Sequence, residues 1–545
     1  MRLRLGSLGL LVPALLAAGL AAVPLVAIVS ALFSGGSETL DHLFGTVMPT
    51  YAVNSAILMV LTALISGTVG TGTAWLIAAS EFPGRRLLSW LLVLPIAAPA
   101  YIVAYLYTDL LEFAGPVQSA LRDLTGWTAG GYWFPEIRSL PGASLMLSFV
   151  LYPYVYLLAR ASFSAQSRGQ LLAARTLGIS PFGTFMTVAL PAARPAIFGG
   201  LALVMMETLA DFGVAEYFAI PTFSTGIFRT WFALGDRQGA MQLAGVMLIF
   251  VLLLVTWEAA TRRGRVASGD RLSDGPRPFT LKGGKAALAC VACAVPVLLG
   301  FVGPVLMLLA NMASQLDDQP FAALAGSFGA SLSTALIVAV ISTALAVLLV
   351  YAVRGSSGLG KAPGPVRWLV RFSTLGYALP GALLAIGILA PLSSIDVSLT
   401  RFLRDQAGWS GGLVLTGTAA MLIYALTVRF LTISYNSASA GMGRIPHSLD
   451  AAARSLGAGP ARLLREVQLP LLSPQLLAGS ALVFVDVMRE LPATLILRPF
   501  NFETLATRVY RLASDERIVE ASTPALLIVL VGLVPVMLLT GERRS

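Results

Sequence analysis

The chain has 545 residues, of which 57% are hydrophobic and only 12% are charged, about half the charged share of a soluble domain. Apolar runs of roughly 18 residues or more recur, each long enough to cross a bilayer as a helix. The composition therefore predicts an all-α polytopic protein embedded in membrane lipid and excludes a soluble enzyme; the formal charge of +10 would suit a nucleic-acid partner, but its placement does not.

In chain order, the apolar runs predict twelve spans at about 8–33, 53–78, 87–108, 143–163, 195–217, 240–260, 286–311, 329–353, 367–392, 411–433, 475–497 and 522–540. The first run exceeds the apolar core of a cleaved signal, about 7–15 residues, and reads as a retained span. Between spans six and seven, Thr261 to Lys285 is rich in Gly, Pro, Ser and charge, the composition of a flexible linker. It divides the chain into a first half, residues 1–262 with a core at about 49–260, a linker at 263–284, and a second half, residues 285–545 with a core at about 329–540.

Twelve spans put both ends of the chain and the linker on one side. That side receives 26 of the 37 Lys and Arg, among them Arg85, Arg86, Arg262, Arg263 and Arg265. Ten fall on the opposite side, and Arg489 lies within a span. Positive charge marks the cytoplasmic side. The basic excess is thus an orientation signal, not a nucleic-acid footprint, and the expected location is a bacterial inner membrane with cytoplasmic termini.

Cys290 and Cys293 form a C-x-x-C inside an apolar run, and His42 and His447 are far off in sequence. Two thiols cannot complete a four-ligand zinc site, so no metal site and no cofactor are expected on this chain. "GSSGLGKA" (Gly355–Ala362) imitates a phosphate-binding loop but carries Ala362 where magnesium needs a hydroxyl. An apolar span precedes it, and "PGP" behind it argues against the helix start the motif requires.

The chain repeats itself. Adding 279 to positions 173–200 reaches 452–479, and eleven of these positions are identical without a gap: Ala173, Ala174, Arg175, Leu177, Gly178, Pro181, Val188, Leu190, Pro191, Pro195 and Gly200. Internal symmetry of this kind is common in transporters. In each copy a small-residue helix ends at a glycine suited to left-handed backbone, Gly178 or Gly457. A second helix then starts at Ser180–Pro181 or Gly459–Pro460. Each loop reads as two short cytoplasmic helices at an angle, with Phe182, Phe185, Met186 and Ala189 as an apolar stripe.

These stretches resemble the E-A-A-x-x-x-G loop of permease subunits of type I ABC importers. The resemblance implies that Ala173, Ala174 and Gly178, with Ala452, Ala453 and Gly457, form two coupling helices. Each would dock on an ATP-binding subunit, two copies in all, while a periplasmic solute-binding protein delivers the solute. ATP and magnesium would then be held by the separate ATPase, and this chain would be a permease rather than an enzyme. The glutamate of the motif is missing: Leu172 and Ala451 stand in its place, and Asp450 lies one residue early. "METLADFGVAEYFAIPTFSTGIFRTWF" (Met206–Phe232) and "VDVMRELPATLILRPFNFETLATRVYRLASDER" (Val485–Arg517) are similar to the fused two-half permeases of ferric iron importers. Thiamine, a polyamine or another small solute remains the alternative cargo. A twelve-helix secondary transporter is a further alternative, although it would not need duplicated coupling loops.

The same offset maps Glu207 onto Asp486 and Asp211 onto Glu490. Acids at i and i+4 share one helix face, and carboxylates inside a bilayer are costly enough to mark function. Two readings stay open. The four acids line a translocation path for a cation, for which hard oxygen ligands are suited; or they are structural, as the proximity of Arg489 to Asp486 suggests.

Overall fold

The computed structural model describes residues 5–34, 45–128, 131–166, 171, 174, 176–262, 279–314, 321–357 and 364–541. Ala173 and His42, which the sequence singles out, lie outside them, as does most of the linker.

The first half runs α1 (Leu5–Phe33), α2 (Met48–Ala79), α3 (Arg85–Leu91), α4 (Ala100–Leu111), α5 (Pro116–Thr125), α6 (Leu140–Ala165), α7 (Pro181–Ala210), α8 (Gly213–Tyr217), α9 (Phe223–Phe232) and α10 (Arg237–Arg262). The second runs α11 (Gly284–Ala313), α12 (Phe321–Ser357), α13 (Gly364–Ser373), α14 (Gly381–Ala407), α15 (Ala419–Arg444), α16 (His447–Ser455), α17 (Pro460–Met488), α18 (Pro492–Leu497), α19 (Leu505–Ser514) and α20 (Ile518–Gly541). Among the described residues, ten helices are long and apolar enough to cross a membrane. The segment from Arg85 to Thr125 makes an eleventh, bent by 93° where Pro95 and Pro99 deny the backbone two donors. The apolar α20 stands at the place of the twelfth.

Four predicted spans shift, the ninth because residues 367–392 divide between α13 and α14, which runs on to Ala407. The fifth and eleventh spans start at Pro181 and Pro460, directly after the coupling loops, and stop at Ala210 and Met488. The expected second short helix of each loop is therefore the first turn of a long span. Each of these spans carries a π-helical turn, at Phe185–Ala189 and Leu463–Gln468. The extra residue per turn breaks the 3.6 period, so the Phe182 stripe does not form: Phe182 and Met186 are exposed while Ala189 is fully buried. The tenth span is α15, beginning eight residues later than predicted, so that Arg429 lies well inside the helix.

In each half three long helices pack pairwise, α2 with α6 and α7, and α12 with α15 and α17. The leading helix of each half reaches across. α1 packs on α12, α13 and α14 of the second half, where the Tyr424 hydroxyl donates to the Leu20 carbonyl at 2.6 Å. α11 packs on α2, α3 and α4 of the first half, where the Tyr107 hydroxyl donates to the Leu299 carbonyl at 2.7 Å. Such crossing needs close backbone approach. A side chain at Gly387 would collide with the Pro24 carbonyl and Ile28, and one at Gly300 with the Phe149 carbonyl.

The linker's far end is also held. β2 (Phe279–Thr280) pairs in parallel with β1 (Ser80–Glu81), and the Phe279 ring contacts Trp75. The imitation phosphate loop begins as the last turns of α12, so a helix rather than a strand precedes it. A helix does start at Gly364 with Pro365 in its first turn, where proline is tolerated. The missing strand, not the prolines, excludes that motif.

Candidate functional site

The two repeated loops close by the same kind of bond. Gly178 and Gly457 take φ of +77° and +84°, the left-handed backbone that glycine adopts without strain. The amide after each glycine donates back to the residue four before it: Ile179 to the Ala174 carbonyl at 3.1 Å, Ala458 to the Ala453 carbonyl at 3.0 Å. Gly457 itself donates to the Arg454 carbonyl at 3.0 Å, completing a helix-ending motif of the Schellman type. Ser180 then accepts from the Gly183 amide at 3.0 Å. Leu177 and Leu456, at matching positions, are 79% and 85% exposed. Ala174 is buried against the bundle, whereas Ala452 is exposed and Ala453 half-buried.

The loops differ beneath this shared form. Asp450, the acid one residue early, is spent inside the protein. Arg354 of α12 donates to it at 2.7 Å through Nε and also to the carbonyls of Met442, Ile445 and Pro446. Gln468 donates to the other carboxylate oxygen at 3.2 Å. Burial alone would raise the Asp450 pKa; the hydrogen bonds from Arg354 and Gln468 outweigh it and hold the carboxyl below its ordinary value. The first half has Leu171 at this position, buried, and an aromatic cluster of Trp75, Phe163, Phe185 and Phe279 nearby.

All four membrane acids border one cavity of about 140 Å³ between the halves. Their geometry departs from the shared-face expectation. α7 ends at Ala210 and Asp211 is extended, so Glu207 and Asp211 do not lie on one helix. Asp211 accepts from the amides of Val214 and Ala215 at 2.9 and 3.3 Å, at the start of α8. Glu490 does the same for α18, accepting from the amides of Ala493 and Thr494 at 2.9 and 3.0 Å. It also accepts from Arg429 at 3.3 Å. Gly381 leaves room for this pair, since a Cβ there would strike both the guanidinium and the carboxylate. Asp211 and Glu490 are thus helix-capping acids.

Glu207 directly, and Asp486 through Arg489, meet the opposite half across the seam. The Tyr377 hydroxyl of the second half donates to Glu207 at 3.1 Å. Arg489 pairs with Asp486 at 2.5 Å and donates to the Ile96 carbonyl of the first half at 2.6 Å. Among the described residues, no three His, Cys, Asp or Glu stand close enough together to hold one metal ion.

Sequence reasoning overlooked Tyr377, Arg429 and the Ile96 carbonyl. "LPIAAP" (Leu94–Pro99) and "LGYALP" (Leu375–Pro380) align at an offset of 281, not 279. Each forms a short 3-10 turn before the proline that opens the next helix. A lone Arg in an apolar run was the available signal for Arg429.

The comparisons agree with this architecture. A family model described as "Binding-protein-dependent transport system inner membrane component" matches residues 70–260 and 364–541, once in each half. The "Fe(3+)-transport system permease protein FbpB 2" of Haemophilus influenzae is 26% identical over 514 residues, spanning 93% of this chain and 92% of that protein. The "Molybdenum transport system permease protein ModB" of Escherichia coli K12 is 29% identical over 214 residues, 38% of this chain but 90% of its own. The "Probable sulfate transport system permease protein cysT" of Nephroselmis olivacea is 29% identical over 229 residues, 40% of this chain and 76% of its own. The chain is a multi-pass inner-membrane permease of an ABC importer that works with an ATPase and a solute-binding protein, and it belongs to the family of binding-protein-dependent transport system inner membrane components.

Proposed function

We propose that this permease imports a hard cation, ferric iron, through the cavity between its halves. The carrying observation is the charge of that cavity: four carboxylates, Glu207, Asp211, Asp486 and Glu490, face two guanidiniums, Arg429 and Arg489, a formal net charge of −2. Both guanidiniums are already paired with carboxylates. Oxyanions such as molybdate or sulfate would meet repulsion there, and a cation would meet oxygen ligands suited to a hard ion. A relative that matches 93% of this chain, across both halves, carries the name of an Fe(3+)-transport permease.

The two coupling loops each engage one copy of a separate ATPase, on the cytoplasmic side, through Ala173, Ala174 and Gly178 and through Ala452, Ala453 and Gly457. ATP and magnesium act on that subunit. Closure of the ATPase pair moves the loops, and the halves rock about the cavity because the loops bind the ATPase differently in the two states. One chain with two loops replaces a permease dimer, so the importer holds one permease and two ATPase copies.

Glu207→Gln is the cleanest test, because Glu207 caps no helix. Radiolabelled ferric uptake should fall at least tenfold while membrane abundance and ATPase recruitment persist. Wild-type uptake of molybdate in place of iron would refute the cation reading. Uptake without ATPase or ATP would instead reveal an ion-driven carrier.

A further inference from the structure

Glu207 and Asp486 occupy matching places in the two halves; Glu207 ties its helix to the other half directly, and Asp486 does so only through Arg489. The ties are made at matching partners, for Tyr377 and Ile96 fill the same position in the two 3-10 turns. Their chemistry differs. On one side a neutral phenol reaches Glu207. On the other a guanidinium lies between Asp486 and the Ile96 carbonyl. The position matching Arg489 is Ala210, so the first half closes the same seam without a cation. A cation is therefore not needed to join the halves. Arg489 and Asp486 remain 23% and 15% exposed, bordering the cavity rather than sealed behind it.

We infer that Arg489 is a tethered stand-in for the transported cation, occupying Asp486 while the passage is unloaded and setting its selectivity for multivalent ions. This rests on the cation-import reading above. A guanidinium on Asp486 neutralises a carboxylate that would otherwise draw in any small cation. An arriving trivalent ion is attracted to Asp486 and Glu207 about three times as strongly as a monovalent ion at the same distance, and so displaces the arm. A monovalent ion, facing a competitor held at high effective concentration by its own backbone, does not. Release of Arg489 also frees the Ile96 carbonyl, which loosens the seam when the passage is loaded.

The test is passive thallium entry into vesicles holding the full chain, read by quenching of an entrapped dye without ATP. Arg489→Gln should raise entry about tenfold or more over wild type, equivalent to about 1.4 kcal/mol of barrier. Arg489→Lys, which keeps the charge, should stay tight. Arg489→Gln combined with Asp486→Asn should also stay tight, because loss of one carboxylate with the one guanidinium returns the cavity to its wild-type formal charge of −2. Unchanged entry in Arg489→Gln overturns the inference. So does a leak in the double variant equal to that of the single one, since Arg489 would then be only a steric plug. If Arg489→Gln fails to reach the membrane, the double variant and Arg489→Lys decide: a leak in either overturns the inference, and tightness in both supports it. Ferric import without the leak pattern removes the role of Arg489 alone. The leak pattern without ferric import by wild type removes the substrate and leaves Arg489 as a charge block.

Discussion

Removing Arg354 should open the second coupling loop without unfolding the protein. Its guanidinium makes four hydrogen bonds that reach both ends of the turn between α15 and α16: one to the Asp450 carboxylate and three to the carbonyls of Met442, Ile445 and Pro446. Both side chains of the pair are 7% exposed. Breaking a buried pair from one side leaves an uncompensated charge and costs roughly 3–5 kcal/mol. In Arg354→Met that cost falls on α16, which is free to swing its acid into water. At about 1.4 kcal/mol per tenfold, the open population should rise more than a hundredfold. Trypsin cleavage after the exposed Arg454 reads that population when opening is fast. The double variant Arg354→Met with Asp450→Leu copies the apolar solution of the first half, Leu171. It should recover most of the protection, because well-packed apolar replacements of a buried pair are often neutral. Cleavage within threefold of wild type in the single variant, or no recovery in the double, would refute this account of the anchor. The pH dependence has a definite sign. The folded pKa of Asp450 lies below the unfolded 3.8, so the anchor's contribution is complete above that value and is lost as pH falls below it. Protection at Arg454 should therefore be flat from pH 8 to pH 5.

Gly178→Val and Gly457→Val should leave abundance near normal, since open space surrounds both positions, yet cost roughly 1–3 kcal/mol of backbone strain at each loop and reduce uptake. Asparagine at either position should be milder, and copurification of the ATPase measures the loss. Thr504→Ala should cost about 1 kcal/mol of thermal stability, because Thr504 and Thr507 form a reciprocal cap at the start of α19; an unchanged melting curve would discount that cap. Cysteine at Ser455 should label only from the cytoplasm and cysteine at Ser410 only from outside, since α15 lies between them; labelling of both from one side would invalidate the orientation.

The sequence by itself determined the class of molecule. Span count, basic asymmetry and the 279-residue offset reported two membrane halves, because a bilayer demands long apolar helices and a duplicated chain keeps its register. Gly178 and Gly457 announced the two helix-ending turns for a local reason: a left-handed residue ending a helix strongly favours glycine. Tertiary structure decided how the acids divide. Nothing in the spacing of Glu207 and Asp211 reveals that the helix stops between them, since that break depends on amides of α8 waiting for the Asp211 carboxylate. Nor could spacing show that Asp450 is consumed by Arg354, 96 residues away, or that Tyr377 and the Ile96 carbonyl meet Glu207 and Arg489 across the seam. Those contacts join residues remote in sequence, and only packing of one half against the other brings them within hydrogen-bonding distance.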